Sequence, residues 1–199
     1  MLGVGYDFAE LREYQIGDDI RHIDWIISAK LQKPFVKLFH AQRELSIGVV
    51  LALGGSMEFG IEESKLNIAT YISSVIGFSS MKNGDPFFAY CFSDKEEFYI
   101  PPTKNFNKIY EMNERISNIS LQGKRANLEE ISKIVLNRIK KKSLIFFISD
   151  FFEDVNLKAL NKKHEITAIV VRDRFEESPS SVGLIDIIDP TSGEEIEFD

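Results

Sequence analysis

Ser46-Ile47-Gly48-Val49-Val50-Leu51-Ala52-Leu53 is a nearly continuous apolar run that breaks at Gly54-Gly55-Ser56-Met57, before helical periodicity sets in from Ser64 to Met81. A short apolar run without polar alternation reads as a buried strand, which places the glycines and Ser56 in a strand-to-helix turn. The alternation repeats downstream. Strands are predicted at Asp85 to Phe92, Ser143 to Ser149 and Glu165 to Arg172, with Glu97 to Ile100 a short edge partner of the first of these. Between them run three helical stripes: Ile68, Ile72, Val75 and Ile76; Phe106, Ile109, Tyr110, Ile116 and Ile119; and Leu128, Ile131, Val135 and Ile139. Asn127 with Glu130 three residues on is a capping-box start for the third. Strand and helix in regular succession predict a doubly wound α/β fold, a mostly parallel sheet with helices on both faces. Leu184 to Ile188 and Glu194 to Phe198, across Asp189-Pro190-Thr191-Ser192-Gly193, read as a strand with a hairpin return.

The 199 residues are ample for a sizeable core, and the net charge of -7 sets a repulsive field toward phosphate backbones, so nucleic acid is not an expected partner. The one basic run, Lys140-Lys141-Lys142, follows a predicted helix, where cations complement the C-terminal end. Cys91, the single cysteine, falls in an apolar stretch and reads as a core residue in a reducing compartment. No apolar run approaches the roughly 20 residues that span a bilayer, so direct membrane insertion is not expected and a cytoplasmic location is.

Ahead of the first core strand stands a dense segment: Gly3, Gly5-Tyr6-Asp7-Phe8-Ala9-Glu10-Leu11-Arg12-Glu13-Tyr14, then Gly17-Asp18-Asp19-Ile20-Arg21, Ile23-Asp24-Trp25 and Ser28-Ala29-Lys30, followed by Val36-Lys37 and Arg43-Glu44-Leu45. It resembles the signature of the bacterial and archaeal family called domain of unknown function 58, whose second half resembles a von Willebrand factor A domain. The resemblance continues through Phe59-Gly60, Tyr99-Ile100-Pro101-Pro102, Ile148-Ser149-Asp150-Phe151, His164-Glu165-Ile166-Thr167-Ala168 and Asp189-Pro190-Thr191-Ser192-Gly193-Glu194, which is nearly the whole chain. It implies a signature segment at 1–44 packed on a von Willebrand A-like domain at 45–199. Members of that family are commonly associated with MoxR-type AAA+ ATPases, so such an ATPase is the implied partner. Membrane-attached relatives exist, so an upstream segment or anchor outside these residues is compatible with it.

The resemblance also implies a place for a metal-ion-dependent adhesion site, between the strand ending near Leu53 and the strand ending at Asp150, where ligands of open α/β sheets bind. Such a site needs Asp-x-Ser-x-Ser on the first loop, a Thr before a later helix and an Asp after the fourth strand, all hard oxygen ligands. Position by position, Ala52 stands for the first Asp, Gly54 for the first Ser and Ala126 for the Thr, while Ser56 and Asp150 survive. One carboxylate and one hydroxyl do not offset the dehydration of Mg²⁺, so a degenerate site with no metal and no cofactor is expected. Asp94 or Glu58 would restore it only by rearrangement. Gly54-Gly55-Ser56 also admits two other readings, an anion nest of backbone N–H groups or a tight turn that glycine permits.

The signature segment supports a structural and a functional reading. Arg12, Tyr14, Gly17, Asp18, Asp19, Arg21, Asp24 and Trp25 can close a buried ion-pair lattice around the tryptophan, in which case truncating Trp25 costs about 3 to 5 kcal/mol. The same Arg, Tyr and Trp can instead anchor a partner. An acidic metallohydrolase using Asp18, Asp19 and Asp24 is a further option, weakened because carboxylates at that spacing do not share one helical face. His22, His40 and His164 lack metal-ligand spacing, His164 reads as a surface or helix-end residue, and no serine sits in a nucleophile elbow. The expectation is a non-catalytic interaction module and adaptor. The alternatives are a metal-dependent or nucleotide-binding enzyme using the acidic segment, and self-assembly through the strand near Glu97 to Ile100.

Overall fold

The computed structural model describes residues 7–40, 45–152, 155–177, 185–188 and 195–198, and the chain divides into two compact units, Met1–Arg43 and Glu44–Asp199.

In the first unit, β1 (Asp7–Glu13) pairs antiparallel with β2 (Phe35–His40), with an irregularity between Phe8 and Glu10. Between them lie a 3₁₀ turn, Ile20–His22, and α1 (Trp25–Leu31). The acids of the segment cap these elements. Asp19 accepts from Arg21 N at the start of the 3₁₀ turn, and Asp24 accepts from Ile26 N and Ile27 N at the start of α1, each satisfying donors that a helix start leaves unpaired.

The second unit is built on β3 (Ser46–Ala52), β4 (Phe87–Phe92), β5 (Glu96–Thr103), β6 (Ser143–Ser149) and β7 (Glu165–Val170), in the order β5-β4-β3-β6-β7. β3 is parallel to both neighbours, β7 is parallel to β6, and β5 runs antiparallel at the edge. The central apolar run is therefore covered on both faces. Val49, Leu51 and Leu53 face one core with Phe87, Ala89 and Cys91, while Val50 and Ala52 face the other with Phe88, Tyr90 and Phe147, as the period of two requires. β5 is longer than its apolar stretch suggests and ends in exposed Pro101 and Pro102. Prolines lack the N–H that a further strand would need, so this edge is blunted against self-assembly.

The helices α2 (Lys65–Lys82) and α3 (Asn107–Ser117) close the first core, and α4 (Leu128–Arg138) and α5 (Lys158–Asn161) close the second. The α4 stripe of Leu128, Ile131, Val135 and Ile139 is buried, and Asn127 caps its start by accepting from Glu130 N at 3.0 Å. α2 departs from expectation. Its most buried face is Ala69, Ser73 and Gly77; Ile68, Ile72 and Ile76 flank it, and Val75 is exposed. The reason is proximity: a Cβ at Gly77 would stand 3.1 Å from Ile109 Cδ1 and 3.2 Å from the Phe87 ring. On α3, Met112 joins Ile109 and Ile116 inside, while Phe106 and Tyr110 are exposed. After β7 come a short α6 (Arg174–Glu177) and the antiparallel pair β8 (Ile185–Ile188) and β9 (Glu195–Phe198). The expected turn at Asp189 to Gly193 lies outside the described residues. So do Gly3, Gly5, Tyr6, Arg43 and Glu44. Among the described residues, no helix is long and apolar enough to cross a membrane.

Candidate functional site

The chain leaves β3 toward β4 on one side and later returns to β6 on the other, so the strand order reverses between β3 and β6. A crevice of about 390 Å³ opens at their carboxyl ends, the position where open α/β sheets bind ligands. Gly54, Ser56, Ala126 and Asp150 line it together with Lys124, Arg125 and Phe152. Ala52 does not reach the crevice; it lies fully buried in the core beneath. Gly55 is buried behind the loop.

The loop after β3 is a 3₁₀ turn, Gly55–Glu58, in which Gly55 N donates to Lys124 O at 2.9 Å and Met57 N to Gly54 O at 3.0 Å. Of the three amides in the anion-nest reading, Gly55 N is thereby taken up. Nor does the turn require glycine at position 54. Gly54 has φ -103° and a Cβ there would meet nothing closer than 3.6 Å. Glycine is required instead at Gly123, whose φ of +75° turns the chain so that Lys124, Arg125 and Ala126 enter the crevice.

Asp150 is the chemical centre. Its Oδ2 accepts from Ser56 Oγ and lies 3.4 Å from Lys65 Nζ. Lys65, only 1% exposed at the start of α2, also reaches Glu176 Oε1 on α6 at 2.5 Å and stands over the Phe152 ring at 4.9 Å. Just past Asp150, Phe151 adopts a left-handed φ of +52°, and Arg172 donates to the carbonyl of Asp150 at 3.2 Å. Such a conformation is held only where its surroundings over-determine it. The acids considered as replacement ligands are occupied elsewhere: Glu58 accepts from Leu121 N at 2.8 Å, and Asp94 accepts from Ser93 Oγ. Burial pushes the Cys91 thiol well above its ordinary range, leaving it an inert core residue.

Lys65, Glu176, Lys124, Arg125 and Arg172 were not among the expected site residues. One signal for Lys65 was available: it follows the cap Ser64, and a cation in the first turn opposes the helix dipole.

In the signature unit the ion pairs are local. Arg12 Nη2 meets Asp18 Oδ1 at 2.7 Å, Arg21 Nη2 meets Asp19 Oδ2 at 2.6 Å and Lys37 Nζ meets Asp24 Oδ2 at 2.7 Å. The cation named with each acid holds its carboxyl below the usual range. Gly17, at φ +110°, makes the turn that delivers Asp18, and Tyr14 N donates to Pro34 O. None of this surrounds the tryptophan. Trp25 is 69% exposed, with Ile20 and Ile26 exposed beside it, because α1 turns Ser28 inward and Ser28 Oγ accepts from Phe35 N. The buried lattice around Trp25 is therefore corrected to a set of local caps. The three acids each serve a different backbone end, and no group of three or more His, Cys, Asp or Glu that could hold a metal occurs among the described residues. The surface reading of His164 is a second correction: it follows the end of α5, where its N donates to Leu160 O, but it is buried, and neither ring nitrogen has a hydrogen-bond partner among the described residues.

The family described as "protein of unknown function DUF58" matches residues 10–199. The chain belongs to the DUF58 family. Uncharacterized proteins Rv1480 of Mycobacterium tuberculosis and Mb1516 of Mycobacterium bovis are each 27% identical to this DUF58 chain over 203 residues, 98% of it and 64% of the relative. The chain thus spans just under two thirds of the curated relatives it matches. Among solved structures, an aerotolerance-related membrane protein from Bacteroides fragilis aligns over 77% of the DUF58 chain and 81% of its own, with a TM-score of 0.50 and 13% identity. The conserved hypothetical protein BatB from Bacteroides thetaiotaomicron aligns over 63% and 66%, with a TM-score of 0.49 and 14% identity. At 13% identity the likeness to the aerotolerance-related protein concerns the fold alone.

Proposed function

We propose that this DUF58 chain is a non-catalytic, von Willebrand A-like interaction module with a degenerate adhesion site, acting in the cytoplasm as an adaptor for a MoxR-type AAA+ ATPase. The observation that carries the reading is the state of Asp150, the one carboxylate among the described residues that line the switch-point crevice, which is engaged by Ser56 and by the Lys65 ammonium. Exposed Trp25, Ile20 and Ile26 on the signature unit supply apolar anchors of the kind that interfaces use. Charge argues in the same direction, since a net -7 disfavours nucleic acid as the partner.

The test is binding of the purified chain to a purified MoxR-type ATPase, followed by calorimetry with a chelator present. Saturable binding that persists in chelator and weakens at least tenfold in Trp25→Ala is the expected result. No binding, or binding that needs a divalent ion, overturns the reading.

A further inference from the structure

We propose that the Lys65 ammonium is a tethered cation that does the work of a bound metal in the crevice, holding the loops that follow β3, β6 and β7 to one another. The inference rests on the reading of the crevice as a degenerate adhesion site and names what replaced the ion.

Two carboxylates from different parts of the chain converge on one nitrogen. Glu176 Oε1 lies 2.5 Å from Lys65 Nζ and Asp150 Oδ2 lies 3.4 Å away, and the same Asp150 oxygen accepts from Ser56 Oγ. The face of Phe152, 4.9 Å from Nζ, takes the remaining side, so the three N–H donors of the ammonium have two anions and a π face to meet. Glu176 does not drift into this position. Its other oxygen accepts from Asp173 N at 3.1 Å, and Asp173 Oδ2 accepts from Ile61 N at 3.2 Å. The loop after β3, the start of α2, the loop after β6 and the turn of α6 are thereby joined through one charge.

An ammonium that is 1% exposed is costly unless its partners are anionic, and a buried carboxylate facing a half-buried one is costly unless a cation lies between them. The helix dipole also disfavours a cation at the start of α2. The arrangement is stable only because each cost offsets the others. Hard oxygen ligands around a positive charge are also the arrangement that a divalent ion takes in such crevices. Here the positive charge is covalently attached, so ligand exchange and chelation cannot remove it.

The experiment removes the lysine from the full chain and refills the space. Lys65→Ala is expected to melt several degrees below the parent, and propylammonium chloride or millimolar MnCl₂ is expected to restore part of that loss. Tetramethylammonium chloride at matched ionic strength, which cannot donate a hydrogen bond, is expected not to. The parent should respond to none of them. If neither probe restores the variant beyond the tetramethylammonium control, the tethered-cation assignment is overturned. Should Lys65→Ala not fold, the triple variant Lys65→Met, Asp150→Asn, Glu176→Gln decides. Loss of all three charges together should leave it close to the parent, and a triple variant that also fails to fold overturns the assignment. No partner takes part in these measurements, so their failure is distinct from failure of the adaptor reading.

Discussion

Ser56 and Asp150 are 94 positions apart in the chain and share one hydrogen bond, Oγ donating to Oδ2 across the carboxyl ends of β3 and β6. These are the two residues that the proposed adhesion-site correspondence retains, and they are bonded to each other. With Lys65 on the same carboxylate oxygen, a divalent ion would have to displace an ammonium and a hydroxyl. Calcium, magnesium and manganese at millimolar concentration are therefore expected to leave the melting temperature unchanged, since a ligand that does not bind the native state cannot stabilise it. Differential scanning fluorimetry with and without chelator checks this. An ion-specific rise lost in Asp150→Ala would show a working metal site.

Trp25 is expected to behave as a surface residue. At 69% exposed on α1, its truncation to alanine should change unfolding free energy by no more than about 0.5 kcal/mol, the range for substitutions away from packed features. The 3 to 5 kcal/mol cost of losing a buried aromatic is not expected. Urea unfolding of Trp25→Ala measures the difference directly. A loss in the larger range would mean that the side chain is covered in solution.

Gly48 should not tolerate a side chain. It sits within β3 opposite the parallel partner Phe88, and a Cβ at Gly48 would fall 2.2 Å from the Phe88 ring, which is itself fully buried. Gly48→Ala is expected to cost about 1 to 3 kcal/mol, as for other insertions into a packed core. Gly48→Ala with Phe88→Leu should recover part of it. An unchanged denaturation midpoint in the single variant would contradict this packing.

His164 predicts a pH dependence. Burial first, and then the charge of Lys163, lower its pKa from the ordinary 6.5, with the Ile139 backbone pulling the other way without reversing the shift. A folded state that binds the proton less readily than the unfolded chain is fully stable above pH 6.5 and loses stability as the pH falls toward the lowered folded-state value. Denaturant midpoints measured from about pH 8 to about pH 5 should fall in the parent more steeply than in His164→Leu. Equal slopes would show that His164 contributes nothing to acid sensitivity.

Legibility followed the strength of the apolar signal. The strand at Ser46, the edge partner at Glu97 to Ile100 and the α4 stripe were readable because hydrophobic residues mark their buried faces. The face of α2 was not, since close approach to the sheet selects small residues, and Ala69, Ser73 and Gly77 carry little hydrophobicity. Trp25 misled in the opposite sense, an apolar residue left outside because α1 is short and turns a serine inward. At the site, Ser56 and Asp150 could be placed from the turn and strand ends. Lys65 and Glu176 could not be paired, being 111 positions apart with no periodic relation. The burial of His164 likewise depends on how the turn after α5 enters β7, which local sequence does not encode.

Rebuilding the ligand set tests both the alignment of the loop and the role of the lysine. Gly54→Ser is sterically permitted, because a Cβ there is 3.6 Å from its nearest neighbours, and Ala126→Thr points chemistry at the same crevice. Ala52→Asp is the costly change, since Ala52 is fully buried and its new carboxylate would lie at the strand end neighbouring that of Asp150. The triple variant is therefore expected to be less stable than the parent, and to regain little with MnCl₂ while Lys65 still holds Asp150. Adding Lys65→Ala releases Asp150 and Glu176 and should convert that weak response into a clear rise in melting temperature with saturable Mn²⁺ binding by calorimetry. If the triple variant binds Mn²⁺ as tightly as the quadruple one, the lysine does not occupy the ion's place. If neither binds although both are folded, Ala52, Gly54 and Ala126 are not the ligand positions, and the correspondence with an adhesion site fails at the loop after β3.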